Sequence, residues 1–167
     1  MRIWPSFILV IVCTLAGPAF ASSQHDRDDC AQADDVDLRI AGCTRVIHDG
    51  TEPDRMRVLA HGARGEAYQA KGDIEAAIID YGAAISLDPD NADVYRHRGI
   101  AYRILGDYDR AIADFSQAIR IDPQDAGAFL NRGGAYHAKG DNGRASADYD
   151  QAQKLNAALV AKKNEQK

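Results

Sequence analysis

The sequence has no apolar run long enough to cross a membrane as a helix, which takes about 20 residues. Its most apolar stretch, residues 7–15, is only about half that length. A single charge, Arg2, precedes this run, and the small-large-small tripeptide Ala-Phe-Ala at 19–21 follows it. This order is typical of a secretory signal peptide, and we expect residues 1–21 to be removed. The sequence therefore predicts an exported bacterial protein, periplasmic or secreted, with no membrane insertion after cleavage.

Positive charges are fewer than negative ones. The chain has 20 lysines and arginines against 25 aspartates and glutamates, so its formal net charge is -5. Proteins that bind nucleic acid or anionic membranes concentrate basic residues, because these neutralise phosphate groups. The composition therefore predicts that neither nucleic acid nor a membrane surface is a partner.

Cysteine is rare, with three residues in the chain. Cys13 lies inside the apolar run and not at its end, where a lipid-modified cysteine would stand, so a lipoprotein is not expected. Cys30 and Cys43 remain after cleavage, and an even count in an exported chain predicts a disulfide between them. The alternative is two buried thiols. A bond that closes so short a loop would stabilise the fold by about 3 kcal/mol in the chain-entropy model.

The common catalytic motifs are absent. The sequence contains neither Gly-x-Ser-x-Gly nor His-Glu-x-x-His, and it has no glycine-rich phosphate loop. His97 and His137 could face one groove, but without a cysteine or a third ligand nearby they make a weak zinc site. We therefore expect no catalytic residue, no metal and no cofactor. An enzyme and a metal-binding accessory protein are the less favoured alternatives.

What the sequence does contain is internal repetition with a period of 34 residues. An Arg-Gly-x-Ala-Tyr motif, a Gly-Asp pair and an Asp-aromatic pair each occur three times at this step. Their first residues are Arg64, Arg98 and Arg132, then Gly72, Gly106 and Gly140, then Asp80, Asp114 and Asp148. Self-similarity at a fixed period is the signature of repeat architectures, so three stacked units are predicted.

The second period shows how one unit is expected to fold. Gly99 and Tyr102 recur at helical spacing and share one face of a first helix. Gly106 ends that helix, and Asp107 caps the next one. The small Gly99 lets the two helices approach closely, while Tyr102 and Phe115 fill the space around the contact. Each pair leaves an apolar face that its neighbour must cover.

This pattern resembles the tetratricopeptide repeat. The residues that carry the resemblance are the glycines, alanines and aromatics of each period and the prolines that end two of them: Gly65, Gly99, Gly133, Tyr68, Tyr102, Tyr136, Ala77, Ala111, Ala145, Pro89 and Pro123. It covers residues 58–157, as repeats at 58–91, 92–125 and 126–157. The resemblance implies an all-α fold, a right-handed superhelix of antiparallel helix pairs. It also implies a non-catalytic scaffold that binds proteins in a concave groove lined by the first helix of each pair.

The segments outside the repeats are expected to close the array. In the N-terminal segment, residues 22–57, we expect one lone helix at 36–48 to cover the open end of the first repeat. The acidic residues at 26–29 and 34–35 lack the glycine and distal glutamate of a calcium-binding loop, and they are expected to be a solvated leader and a helix cap. At the other end, residues 158–167 are expected to extend the last helix and to fray from Lys162.

Each repeat has an arginine where the family often has leucine. These residues, Arg64, Arg98 and Arg132, are each followed sixteen residues later by an aspartate. A charge on a buried face is costly unless it has a partner. We therefore expect each arginine to pair with an aspartate of its own or an adjacent repeat. The alternative is a set of independent surface charges, which would contribute little.

The middle repeat is expected to hold the binding surface, because the flanking first helices carry small groove residues such as Gly62 and Gly134. Large apolar and arginine side chains concentrate binding energy better than small ones. The predicted groove residues are Arg96, His97, Ile100, Arg103, Ile104, Leu130 and Asn131. We expect them to bind an extended or helical peptide with some acidic character. The alternatives are a solvated helix face and a self-associating assembly protein, which would be a homo-oligomer.

Some members of the family hold a C-terminal carboxylate between basic and asparagine side chains on consecutive first helices. The corresponding positions in this chain are Gly62, Glu66 and His97 in one pair of repeats, and Arg96, Ile100 and Asn131 in the next. Because the set is only partly basic, that specificity is not expected here.

Overall fold

The computed structural model describes residues 23–165, and this part of the chain forms eight α-helices with no strand. The helices are α1 (Gln24–Gln32), α2 (Val36–His48), α3 (Asp54–Lys71), α4 (Ile74–Leu87), α5 (Ala92–Ile104), α6 (Tyr108–Ile121), α7 (Ala126–Ala138) and α8 (Asn142–Glu165). The predicted signal peptide lies outside the described residues. The predicted all-α class is confirmed.

The helices pack mainly on their neighbours along the chain. Helix α3 packs on α4, α5 on α6 and α7 on α8, and each second helix also packs on the first helix of the next pair. The first helices α3 and α5 touch one another, as do α5 and α7, so these three lie side by side. This arrangement is a solenoid of helix pairs, in which each unit buries the apolar face of the one before it.

The turn inside each repeat is made by a glycine in the left-handed region. Gly72, Gly106 and Gly140 have φ values of 87°, 78° and 82°, which a residue with a Cβ rarely adopts. An aspartate follows each glycine and caps the next helix. The Asp107 side chain, for example, accepts a hydrogen bond from the backbone N–H of Arg110.

Inside each pair, an aromatic ring lies directly against the backbone of a glycine. A Cβ added to that glycine would stand within 3 Å of the ring, closer than real Cβ atoms approach. The contacts are Gly65 with Tyr81, Gly99 with Phe115 and Gly133 with Tyr149. The rings of Tyr81 and Phe115 are at most 1% exposed, whereas Tyr149 is 38% exposed because no further described pair covers it. The predicted close approach at Gly99 is therefore confirmed.

The N-terminal segment differs from its prediction. Residues 26–29 are part of helix α1, not a solvated leader, and α1 packs on α2 as an additional pair. Ser23 and Asp26 form a capping box that starts the helix. Gly42 allows the close approach, since a Cβ there would lie 2.8 Å from the backbone N of Cys30. Helix α2 does cover the first repeat, but it does so as one of a pair.

A disulfide joins Cys30 on α1 to Cys43 on α2, as predicted. Both residues are buried, at 6% and 0% exposure, in a small cluster with Val46 of α2 and Ala60 of the first repeat. The bond therefore fastens α1 to the helix that caps the repeats.

Helix α8 is longer than its counterparts in the other repeats, at 24 residues. It runs to Glu165, so it continues past Ala157, as expected, and fraying from Lys162 stays a prediction. Without a proline near Ala157, nothing in the local sequence stops the helix where the earlier repeats end.

Each of the three repeat arginines forms an ion pair with one aspartate. Arg98 donates from Nε and Nη2 to the two carboxylate oxygens of Asp114, both at 2.8 Å, in the bidentate geometry of a strong charge-assisted pair. The aspartates are nearly buried, at 2–6% exposure. The pairs are Arg64 with Asp80, Arg98 with Asp114 and Arg132 with Asp148. The expected pairing is confirmed, and each arginine meets the aspartate of its own repeat.

Two of these arginines also reach back to the preceding second helix. Arg64 Nη1 donates to Thr44 Oγ1 at 2.9 Å, and Arg132 Nη1 donates to Ser116 Oγ at 3.1 Å. The equivalent position before Arg98 is Gly82, which has no hydroxyl. The arginines therefore link the first repeat to α2 and the third repeat to the second, while the middle arginine lacks this link.

We predict that Arg98→Leu and Asp114→Ala are strongly non-additive in stability. Each single change leaves a poorly solvated charge without its partner, whereas the double variant removes both, so the coupling free energy should be roughly 0.5–3 kcal/mol. Urea unfolding of the four proteins measures it. The exposed Lys139–Asp109 pair is the control cycle, with about 0–0.5 kcal/mol expected. Equal coupling in the two cycles would contradict the prediction.

We predict that Gly82→Ser stabilises the protein. A Cβ at Gly82 meets only Arg98 Nη1, at 3.8 Å, so there is room for the side chain. Removing a helical glycine contributes up to about 1 kcal/mol, and a hydroxyl that accepts from Arg98 contributes about 1 kcal/mol more. Thermal unfolding should rank serine above alanine at this position. The advantage of serine over alanine should vanish in an Arg98→Leu background, and its survival there would rule out the hydrogen bond.

Reduction of the disulfide should lower the free energy of unfolding by about 3 kcal/mol, because the short loop it closes is then free in the unfolded chain. Urea unfolding with and without a thiol reductant tests this. A Cys30→Ser/Cys43→Ser variant is the control, since it should not respond to the reductant. An unchanged midpoint in the unaltered protein would show that the bond contributes nothing.

Candidate functional site

The three first helices leave large apolar side chains exposed on the face they share. Leu59 on α3, Ile104 on α5 and Leu130 on α7 are 57%, 52% and 56% exposed. Apolar side chains exposed on adjacent elements are typical of interaction surfaces. The groove is defined here by the outward positions of these helices: Leu59, Gly62, Glu66, Asp93, Arg96, His97, Ile100, Arg103, Ile104, Leu130 and Asn131.

Arg96 is one of the predicted groove residues, and its guanidinium is already paired with carboxylates of this chain. Its Nη2 lies 2.7 Å from an oxygen of Asp93, and its Nε lies 2.9 Å from an oxygen of Asp125 at the start of α7. Its side chain is only 24% exposed. Arg96 therefore links α5 to the start of α7 and lies between two carboxylates, so its charge is already compensated.

The His97 side chain also has a partner within this chain. Its Nδ1 lies 3.1 Å from an oxygen of Glu66 on the preceding first helix, and its ring packs edge-to-face with the ring of Tyr81, with the centroids 5.9 Å apart. The hydrogen bond from His97 lowers the pKa of Glu66 more than partial burial raises it, so the carboxylate stays ionised at neutral pH. Burial, with the nearby Glu66 charge, raises the pKa of the Tyr81 hydroxyl, which stays protonated.

The remaining predicted residues divide into packed and exposed ones. Ile100 is partly buried against the cluster around Phe115, so part of this groove residue is covered by the packing of the repeat. Asn131 donates to the carbonyl of Gly127 at 2.8 Å on its own helix. Arg103 and Ile104 are exposed, as is Leu130. The accessible part of the predicted set is therefore smaller and less basic than the sequence suggested.

Two adjoining cavities lie between α3 and α5. One, of about 280 Å³, is lined by Leu59, Glu66, Tyr81 and His97 among others. The other, of about 400 Å³, lies at the N-terminal ends of the two helices. Both are lined by Val58, Leu59 and Asn91, so they form one depression, which we call the trough.

Several trough residues were not predicted. Asp54 is the first residue of α3, and Asp88 lies in the loop before α5. Both are outside the helical face on which the sequence prediction was based. Asn91 was missed because its visible role is to cap α5, where its side chain accepts from the N–H of Val94. The sequence did contain a signal for them. The first helices stack side by side in a solenoid, so the residues at their N-terminal ends could have been expected to lie close together.

The chemistry of the described side chains is that of ion pairs and hydrogen bonds. Within residues 23–165, no group of three or more His, Cys, Asp and Glu side chains is arranged to hold a metal. His97 bonds to Glu66, and His137 Nδ1 lies 2.9 Å from Asn142 Oδ1, so the two histidines have different partners. In the same part of the chain, no helix has the length and apolar character needed to cross a membrane.

Comparison with known proteins agrees with the repeat pattern. A family model described as TPR repeat matches residues 65–103 and 99–140, and one described as tetratricopeptide repeat matches residues 126–159. No curated protein sequence matches the chain significantly.

Solved structures with the same fold include peptide-binding domains. The crystal structure of MamA is similar with a TM-score of 0.69 and 25% identity, over 75% of this chain and 71% of MamA. The second TPR of Spaghetti (RPAP3), bound to the HSP90 peptide SRMEEVD, has a TM-score of 0.58 and 31% identity, over 59% of this chain and 91% of that domain. The human second TPR domain of RPAP3, in complex with the HSP70 peptide SGPTIEEVD, has a TM-score of 0.60 and 30% identity, over 62% and 86%.

The family matches run from residue 65 to residue 159, and they lie within the helix pairs from α3 to α8. TPR domains are protein-interaction modules. This chain belongs to the tetratricopeptide repeat family.

Proposed function

We propose that this protein is a non-catalytic scaffold that binds a peptide or a segment of another protein in the groove. The observation that carries the proposal is the exposure of Leu59, Ile104 and Leu130 on three consecutive first helices. Exposing apolar side chains to water is unfavourable, and in a family of interaction modules their exposure is best explained by a partner that covers them. The RPAP3 domains, which bind peptides, support this choice of function.

We also propose that the scaffold works in the cell envelope after export. The signal-like order at residues 1–21 supports export. The buried Cys30–Cys43 bond supports an oxidising compartment, because disulfides persist there and are rare in the cytosol. Edman sequencing or intact mass of the protein recovered from the envelope tests this, with Ser22 expected as the first residue.

A second candidate is self-association through the C-terminal end. Tyr149 and Leu159 on α8 are 38% and 59% exposed, and no described helix covers this side of the last pair. A second copy that covered it would make the protein a homo-oligomer. Light scattering over a range of concentrations separates this function from binding of a different partner, since a monomer at all concentrations excludes it.

We predict that Ile104→Ala/Leu130→Ala weakens partner binding by about tenfold or more, because a well-buried interface anchor contributes about 2 kcal/mol or more. Both side chains are exposed, so thermal stability should change by no more than about 0.5 kcal/mol per site. Affinity capture from envelope extract of the exporting cell, followed by a titration with the captured partner, gives the measurement.

The matched control is Leu38→Ala/Ile79→Ala, which removes two exposed aliphatic side chains from α2 and α4. This control should capture the partner as well as the unaltered protein does. If the groove variant keeps full affinity, or if the control loses as much as the groove variant, the interface lies elsewhere.

A further inference from the structure

The trough between α3 and α5 carries more negative than positive charge. Its lining includes four carboxylates, Asp54, Glu66, Asp88 and Asp93, and one guanidinium, Arg55. The sequence had suggested the opposite character for the groove, because Arg96 and Arg103 dominate the first helix of the middle repeat. The arginines of α5 therefore do not make the trough positive, although they are prominent in the sequence of that helix.

Neighbouring arginines reduce this charge without cancelling it. Arg57 pairs with Asp54, while Arg96 is shared between Asp93 and Asp125. When these neighbours are included with the lining residues, five carboxylates stand against three guanidiniums. The charge of Arg39 also acts on Glu66, and counting it leaves five carboxylates against four guanidiniums, so the excess stays negative.

Two of the carboxylates have partners that carry no permanent positive charge. Asp88 accepts hydrogen bonds from the backbone N–H of Asp90 and the side chain of Asn91, both uncharged donors. Glu66 bonds to His97 and is still half exposed, at 50% of its side chain. Both carboxylates therefore have lone pairs and charge available to a ligand.

The floor between these carboxylates is apolar. Val58, Leu59, Leu87 and Val94 line the two cavities, and Leu59 stands 57% exposed where the cavities meet. An apolar floor with a charged rim binds one apolar side chain by burial and selects its flanking residues by charge.

We propose that the trough binds a peptide segment in which an apolar side chain is flanked by lysine or arginine. The inference rests on the proposed function of the groove and names the chemistry of its ligand. An acidic segment would bring its charge against Glu66, Asp88 and Asp93, which is unfavourable at close range. For the same reason a C-terminal carboxylate is a poor ligand, since Glu66 occupies a place where family members that bind one have a basic or asparagine side chain.

The test is selection from a displayed library of random twelve-residue peptides on the oxidised, immobilised protein. Enriched sequences should combine an apolar residue with neighbouring lysine or arginine. A fluorescein-labelled copy of the best sequence is then titrated by fluorescence anisotropy. Its affinity should fall on going from about 50 mM to about 500 mM salt, because screening weakens exposed charge pairs.

Three variants locate the site. Glu66→Gln/Asp93→Asn removes two charges from the trough and should weaken the basic peptide by about tenfold at low salt. Leu59→Ala should weaken every peptide that uses the apolar floor. The control Glu75→Gln/Asp150→Asn removes the same two charges from exposed positions on α4 and α8 that do not line the trough, and it should bind like the unaltered protein.

The outcomes separate the two proposals. Enrichment of basic peptides whose binding depends on Glu66 and Asp93, but not on the control positions, supports the inference. Enrichment of acidic or uncharged peptides, or an equal loss of affinity in the control variant, overturns the inference. If binding in that case still depends on Leu59, the proposal that the groove binds peptides is supported. If no sequence is enriched, the inference and the proposed peptide binding both fail.

Discussion

An aromatic ring packed on the bare backbone of a glycine is the contact that sets the distance between the two helices of each repeat. The ring of Phe115 would lie 2.7 Å from a Cβ at Gly99, so any other residue there would push the helices apart. Once this distance is set, the small alanines of the second helix fit against the first. The arginine–aspartate pairs then come within bonding distance beside the same contact, and the next pair can stack.

Much of this architecture could be predicted from the sequence, because the residues that determine it recur at a fixed period. The turn glycines, the aspartate caps and the Arg98–Asp114 pairing all follow from local geometry and from the cost of an unpaired buried charge. Helix α1 could not be predicted in the same way. It is polar on average and its only strong signals are a capping box and one cysteine, and what holds it in place is packing on α2, which the sequence pattern does not show.

The site was harder to predict than the fold for a physical reason. Helical periodicity tells which side of α5 a residue occupies, but not which other helix reaches it. Arg96 and His97 lie on α5, but their partners come from the start of α7 (Asp125) and from α3 (Glu66), and these partners change the charge that a ligand would meet. Ile100 was assigned to the groove although it packs against the Phe115 cluster, since an outward position on a closely packed helix is still partly covered.

The Cys30–Cys43 bond makes the two ends of the solenoid unequal in stability. Each unit of a solenoid contacts only its neighbours, so local opening starts where the boundary is weakest and proceeds one pair at a time. One boundary is fastened covalently, while at the other Tyr149 is partly open to water and the end of α8 has no pair beyond it among the described residues. Amide hydrogens should therefore exchange first in α8 and last near α2, and a protease acting on the native protein should shorten it from the C-terminal side.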